Sequence, residues 1–317
     1  MSKIHRTTRY TLPRHAFACA AALFTLSAIT AHGQATVTWD AGTDFNWDTT
    51  TSNWTGTTYT NGDDAQFLGS GAGTVTLSGT ITPNSVLVNS TNDYELSGVI
   101  SGSGSLTKDG TGTLTLNSQN TYTGGTTVNN GTLDLVGQQI IDGALTVDGG
   151  SSLVKLSGTS HNAVTGISSI TVQNDGTFTD NTTGAFVQSM PSVTFDNGGT
   201  LTSEAGANGA GQFGNFLFTN GINVTGTGLA TINANGISFN FGQTITVADT
   251  VAGAATDLLI SSPILNERVG TITKEGAGTV ELTNAGNTDP SPWVINNGTL
   301  KLNSAGENFT SSGTLSA

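Results

Sequence analysis

The chain of 317 residues carries 22 acidic against 9 basic side chains, a formal net charge of −13, yet only 10% of its residues are charged and 43 are glycine. That acidic balance excludes nucleic acid and anionic membrane surfaces as partners. The sparse charge and regularly spaced Val, Leu, Ile and Phe speak against disorder, because disordered chains are depleted in the residues that build a core.

At the N-terminus, Lys3, Arg6, Arg9 and Arg14 precede an apolar run from Ala16 to Ile29, which is short for a membrane span and has the layout of an export signal. Small residues allow cleavage after Gly33 or after Ala35, and the expected signal peptide is residues 1–35. Cys19 lies at the start of the apolar run, the wrong place for a lipid-modified cysteine, and no cysteine follows it. The exported chain therefore depends on burial and backbone hydrogen bonding, without disulfides. Beyond Ala35 stand five Lys/Arg and all 22 Asp/Glu, a net charge of −17, with no second apolar span.

Residues 36–100 read as an N-terminal cap followed by the first coils. Three of the four tryptophans, Trp39, Trp47 and Trp54, fall here, followed by Asp63-Asp64. The first coil of a coiled β-chain has open sheet edges, and an atypical terminal unit with bulky aromatics would close them. The same three indoles could instead form a stacking platform for sugars, which makes them candidate glycan contacts.

Residues 101–317 read as the solenoid body. Residues 104–135 alternate apolar and small polar side chains, as in Gly-Thr-Leu-Thr-Leu (112–116) and Gly-Thr-Leu-Asp-Leu (131–135), the period of a half-buried strand. Asp109-Gly110, Gly124-Gly125 and Asn130-Gly131 supply corners, because glycine accepts positive φ without steric cost. The unit recurs at 270–302, offset by 166 residues at Lys274 and by 167 at Gly298, so one residue is inserted in the connecting loop while the strands keep register. Weaker copies fill the middle: Leu145-Thr146-Val147, Ile170-Thr171-Val172, Val193-Thr194-Phe195, Ile222-Asn223-Val224 and Ile245-Thr246-Val247. In Ile237-Ser238-Phe239-Asn240-Phe241, both Phe residues are expected to stack inward with Phe216 and Phe218. Repeats of roughly 20 to 25 residues give about a dozen coils. The expected fold is all-β, a parallel β-helix or solenoid with an atypical aromatic N-terminal cap. The alternative is an antiparallel sandwich, whose short strands and Asn-Gly hairpins would look similar. A further strand is expected at Gly313-Thr314-Leu315.

Chemistry-bearing residues are sparse. His161 is the one histidine beyond Ala35 and reads as an exposed loop residue. Asp63-Asp64 is the one adjacent acidic pair and reads as a loop or capping element, ahead of metal binding. Glycine runs such as 206–214 precede no helix and no lysine suited to phosphate, so they read as corners. No catalytic residue, metal site or cofactor is expected.

Residues Gly104 to Leu133, with Thr107-Lys108-Asp109-Gly110-Thr111-Gly112-Thr113 and Asn120-Thr121-Tyr122-Thr123-Gly124-Gly125-Thr126, closely resemble the autotransporter-associated β-strand repeat. The second copy keeps Thr273-Lys274-Glu275-Gly276-Ala277-Gly278-Thr279 and Asn297-Gly298-Thr299-Leu300, but has Asn287-Thr288-Asp289-Pro290-Ser291-Pro292-Trp293 where the Tyr-Thr-Gly-Gly centre would be. The resemblance implies a right-handed coil in an exported protein, secreted, associated with the outer membrane or held at the cell surface. It further implies a non-enzymatic adhesin or structural scaffold, with cell-surface, glycan or matrix components as partners. The alternative function is a carbohydrate-binding or polysaccharide-active β-helix, which would need convergent carboxylates.

Overall fold

The computed structural model describes residues 34–303 apart from 139, 160, 205–207, 210–213, 252–254 and 266–267. The expected export signal, most of the glycine run 206–214 and the expected strand at Gly313–Leu315 lie outside the described residues.

Strands alternate between two long sheets of twelve strands each, so each coil adds one strand to either sheet. All pairing between the strands of the two long sheets is parallel, which excludes the antiparallel sandwich. Among the described residues there is no helix. Each coil returns to its starting sheet by way of the other, so no helical crossover is needed to keep the strands parallel.

Period-two alternation turns one side of each strand inward, and register then stacks like on like. In the first sheet one internal column runs Val88, Lys108, Val128, Val147, Val172, Phe195, Val224, Val247. In the second sheet the matching column runs Tyr94, Leu114, Leu133, Val154, Phe178, Leu201, Ile232, Ile260, Leu282. These side chains are fully buried and form one continuous core. Each Val, Leu, Ile and Phe of these columns contributes about 1.5–3 kcal/mol of burial.

The middle coils are larger than the periodicity predicts. Thr107 to Thr127 is 20 residues, whereas Thr194 to Asn223 is 29. The extra length forms a third wall of three strands, Gln188–Met190, Phe216–Phe218 and Ile237–Phe239. Phe239 stacks on Phe218 as expected, with centroids 5.6 Å apart. Phe241 does not follow: the strand ends at Phe239, the backbone turns left-handed at Phe241 (φ 59°), and the ring is 56% exposed.

The opening segment closes the first coils. Trp39, Trp47, Trp54, Tyr59 and Phe67 pack edge to face or tilted at 5.2–5.8 Å, and Tyr94 extends the cluster from the next coil. Asn53, fully buried, holds the covering loop. Its Oδ1 accepts from the Thr43 and Asp44 amides (2.8 and 3.0 Å), and its Nδ2 donates to Asp44 Oδ1 and the Asn46 carbonyl (both 2.7 Å).

Candidate functional site

In both clear repeat copies the inward face of the first strand carries a lysine. Lys108 is 1% exposed and Lys274 is 0%. Lys108 Nζ donates to the carbonyls of Asp109 (2.8 Å), Gly110 (2.7 Å) and Asn130 (3.1 Å). Lys274 Nζ does the same with Glu275 (2.8 Å), Gly276 (2.6 Å) and Asn297 (3.1 Å). An ammonium has three protons to donate, and each cage supplies three acceptors. Burying the charge costs several kcal/mol, which three charge-assisted bonds of about 1.5–3 kcal/mol each offset. Burial pushes Lys108 down to about 8, against the opposing pull of Asp109 and Asp93. Lys274 is lowered for the same reason, opposed by Asp257 and Glu275.

Two of the three acceptors belong to the lysine's own corner and the third to the corner of the next coil, so each ammonium ties one coil to its successor. The third corner requires glycine. Gly131 and Gly298 sit at φ 67° and 74°, and a Cβ there would lie 2.8 and 2.7 Å from the lysine Nζ and 2.5 Å from the carbonyl of Gly110 or Gly276.

A second tie recurs in both copies. Asn120, 2% exposed, accepts from the Ile100 amide (2.8 Å) and donates to the Ile140 carbonyl (3.0 Å), linking three coils. Asn287 keeps only the accepting half of this tie, from the Ile264 amide (2.8 Å), and its Nδ2 meets no acceptor. The departure between the copies comes just after this asparagine. Tyr122, whose hydroxyl meets Thr126 Oγ1 at 2.6 Å, is replaced by Asp289, which accepts from the Ser291 amide at 2.9 Å. The strands Ile272–Glu275 and Thr279–Leu282 stay in their sheets.

The outer face of the first sheet is a regular polar surface. Thr107, Thr127, Thr146, Thr171 and Thr194 stand in register on five successive coils. A parallel column carries Ser85 and Ser105, then Ala144, Ser169 and Ser192. At the strand ends, acids and amides alternate: Asn129 Nδ2 donates to Asp109 Oδ1 (2.8 Å), and Asn174 Nδ2 to Asp148 Oδ1 (2.7 Å). An amide between acids sets the carboxylates two coils apart, about 9.6 Å at parallel-strand spacing. That is close to a Debye length in physiological salt, so an acidic chain can stack its charges with little repulsion.

The sequence-predicted residues are placed as follows. Trp39, Trp47 and Trp54 are 0–1% exposed, so no ring face is offered to a sugar and the platform expectation is corrected in favour of core closure. Trp39 Nε1 donates to the Gly71 carbonyl (3.0 Å), whereas the indole N–H groups of Trp47 and Trp54 meet no acceptor. Asp63 accepts from the amides of Ala35 (3.1 Å) and Thr60 (2.9 Å), and Asp64 accepts from Gln34, Asn84 and Ser85 side chains. Both are structural anchors of the cap. His161 is exposed; its Nδ1 accepts from the Val187 amide (3.1 Å) and its ring packs edge-on against Phe186.

Two buried carboxylates went unmarked by motif reading. Burial works to raise Asp257, yet bonds from the amides of Thr279, Val251 and Thr250 and from the Thr250 hydroxyl together hold it below the ordinary range. Asp180 goes the other way: burial raises it, and bonds from Asn215 Nδ2 (2.9 Å) and the Thr182 amide (3.0 Å) offset only part of that. Among the described residues no three or more His, Cys, Asp or Glu gather where they could hold a metal.

The family profile described as passenger-associated-transport-repeat matches residues 106–135 and 272–302. This chain carries two passenger-associated-transport-repeats. Each contains one caged lysine and the asparagine tie that follows it. No curated protein and no solved structure matches the chain. The passenger-associated-transport-repeats and the solenoid together fit an exported, passenger-like protein.

Proposed function

We propose that the chain is an exported, non-enzymatic scaffold whose solenoid presents a repetitive hydroxyl and amide surface for adhesion and matrix contact. The observation that carries this reading is the in-register threonine column, Thr107 to Thr194, on the outer sheet face. Contacts of this kind are individually weak and add up along the stack, so affinity comes from area and multiplicity. The export signal in this reading lies within residues 1–35. The bonds from Gln34 and Ala35 to Asp64 and Asp63 support cleavage after Gly33 in preference to Ala35, since only the former keeps both partners.

The test is twofold. Intact cells expressing the chain are treated with an external protease, and the purified protein is applied to immobilised matrix proteins and polysaccharides. Surface accessibility and retention that falls in Thr127→Glu and Thr146→Glu support the proposal. An intracellular protein, or one that cleaves the polysaccharide, overturns it.

A further inference from the structure

The loop in which the second repeat copy departs from the first contains Asp289–Pro290, the one Asp–Pro peptide bond in the chain. Both sides of that bond are anchored. Before it, the amides of Thr288 and Asp289 donate to the Ile264 carbonyl (2.8 and 3.3 Å). After it, the Gly270 amide donates to Ser291 Oγ (3.3 Å) and the Ile272 amide to the Pro292 carbonyl (2.9 Å). Asp289 Oδ1 accepts from the Ser291 amide at 2.9 Å. A bond of this kind to the second residue ahead folds the carboxyl back over the Asp289–Pro290 peptide and keeps it from extending into solvent. Asp289 and Pro290 are half-buried and Ser291 is buried. Burial pushes the Asp289 carboxyl above the ordinary range and bonds from Ser291 oppose this only in part, so the protonated form persists to higher pH. Among the described residues no charged side chain adds to or opposes this effect.

We propose that Asp289–Pro290 is a self-cleavage site, at which the chain hydrolyses its own backbone in mildly acidic surroundings. An oxygen of the protonated Asp289 carboxyl attacks the main-chain carbonyl carbon of the same residue and closes a five-membered cyclic anhydride. The bond from that carbon to the Pro290 nitrogen breaks, and the carboxyl proton passes to the nitrogen, which leaves as an amine. Water then opens the anhydride, giving one chain that ends at Asp289 and another that begins at Pro290. The proline nitrogen suits this role because, in a tertiary amide, it is a better base than an ordinary peptide nitrogen. Attack by a group already held over its target is intramolecular, which supplies rate that a free carboxylic acid lacks. A carboxyl that has kept its proton can also deliver it to the departing nitrogen. Each chain reacts once, so this chemistry goes beyond the scaffold reading without making the protein an enzyme. The cut does not by itself part the pieces. The strands Trp293–Ile295 and Thr299–Leu302 stay paired to the preceding coil, and Lys274 Nζ still holds the Asn297 carbonyl at 3.1 Å.

The test incubates the purified full chain, folded and unfolded in urea, at pH 5 and pH 7 and follows the products by mass spectrometry. Two fragments that meet between Asp289 and Pro290, with masses that sum to the parent plus one water, are expected. At pH 5 they should form at least tenfold faster from the folded chain than from the unfolded one, and more slowly at pH 7. The unfolded control separates the held geometry from the general acid lability of Asp–Pro bonds. Asp289→Glu keeps the charge but cannot close the five-membered ring, and Pro290→Ala removes the basic leaving nitrogen; each should slow cleavage at least tenfold. On native size exclusion the fragments should elute together, held by the paired strands and Lys274. A folded chain that stays intact at pH 5, cleavage no faster than in urea, or unchanged cleavage in Asp289→Glu overturns the inference.

Discussion

Replacing Lys108 by methionine removes the ammonium while keeping an unbranched side chain of similar volume in the column between Val88 and Val128. Three carbonyls at 2.7–3.1 Å then lose their donor inside the core. Each unsatisfied acceptor costs about 1–3 kcal/mol, while several kcal/mol of ammonium desolvation are recovered. The difference is a net loss of about 3 kcal/mol. Leu106→Met, on the same face of the same strand, is the control, because a volume-conserving apolar exchange costs less than about 1.5 kcal/mol. Urea unfolding of both variants reads the comparison directly, and an unchanged m-value confirms that the same cooperative unit is being compared. If Lys108→Met costs no more than Leu106→Met, the ammonium does not tie the coils and the account of the repeat fails.

Gly131→Ala should cost more than about 2 kcal/mol, since it strains φ and sets a methyl against Lys108 Nζ; Gly150→Ala, exposed and without such contacts, should cost far less in the same assay. Trp47→Ala should lower stability by about 3–5 kcal/mol and leave polysaccharide pull-down unchanged, whereas a loss of pull-down with an intact melting temperature would restore the sugar platform. Asp180 has a raised folded pKa, so its stabilising contribution is present below the ordinary carboxylate pKa and is lost as pH rises through the folded value. Asp180→Asn should therefore be more stable than the parent at pH 7 and no more stable at pH 3, and thermal melts at the two pH values check the sign.

The solenoid was legible because a strand's inside and outside are decided by alternation alone, and the 166-residue echo fixed which alternation belonged to which coil. Val128, Val147, Val172 and Val224 all stand where that pattern puts them. The caged lysines were legible in principle, since Lys108 shares parity with Leu106 and Lys274 with Ile272. What concealed them is that a charged residue at an inward position is read as surface unless three acceptors are already known to converge on it. Phe241 was misplaced for the opposite reason. Its alternation with Phe239 is intact in sequence, but a non-glycine left-handed turn ended the strand between them, and no residue type announces such a turn. The third wall escaped notice because it arises from coil length, which depends on where distant strands pair. The tryptophans were ambiguous because an indole closes a core and binds a sugar through the same flat face, and only burial separates the two.

The caged lysines also limit what the surroundings can do to this protein. Trypsin-like proteases must draw a lysine or arginine side chain into a deep pocket, and amine-reactive reagents must reach a free Nζ. Of the five basic residues beyond Ala35, Lys108 and Lys274 are sealed inside the stack, whereas Lys155, Arg268 and Lys301 are not buried. The residues that bind coil to coil are thus also withheld from the enzymes that would cut there.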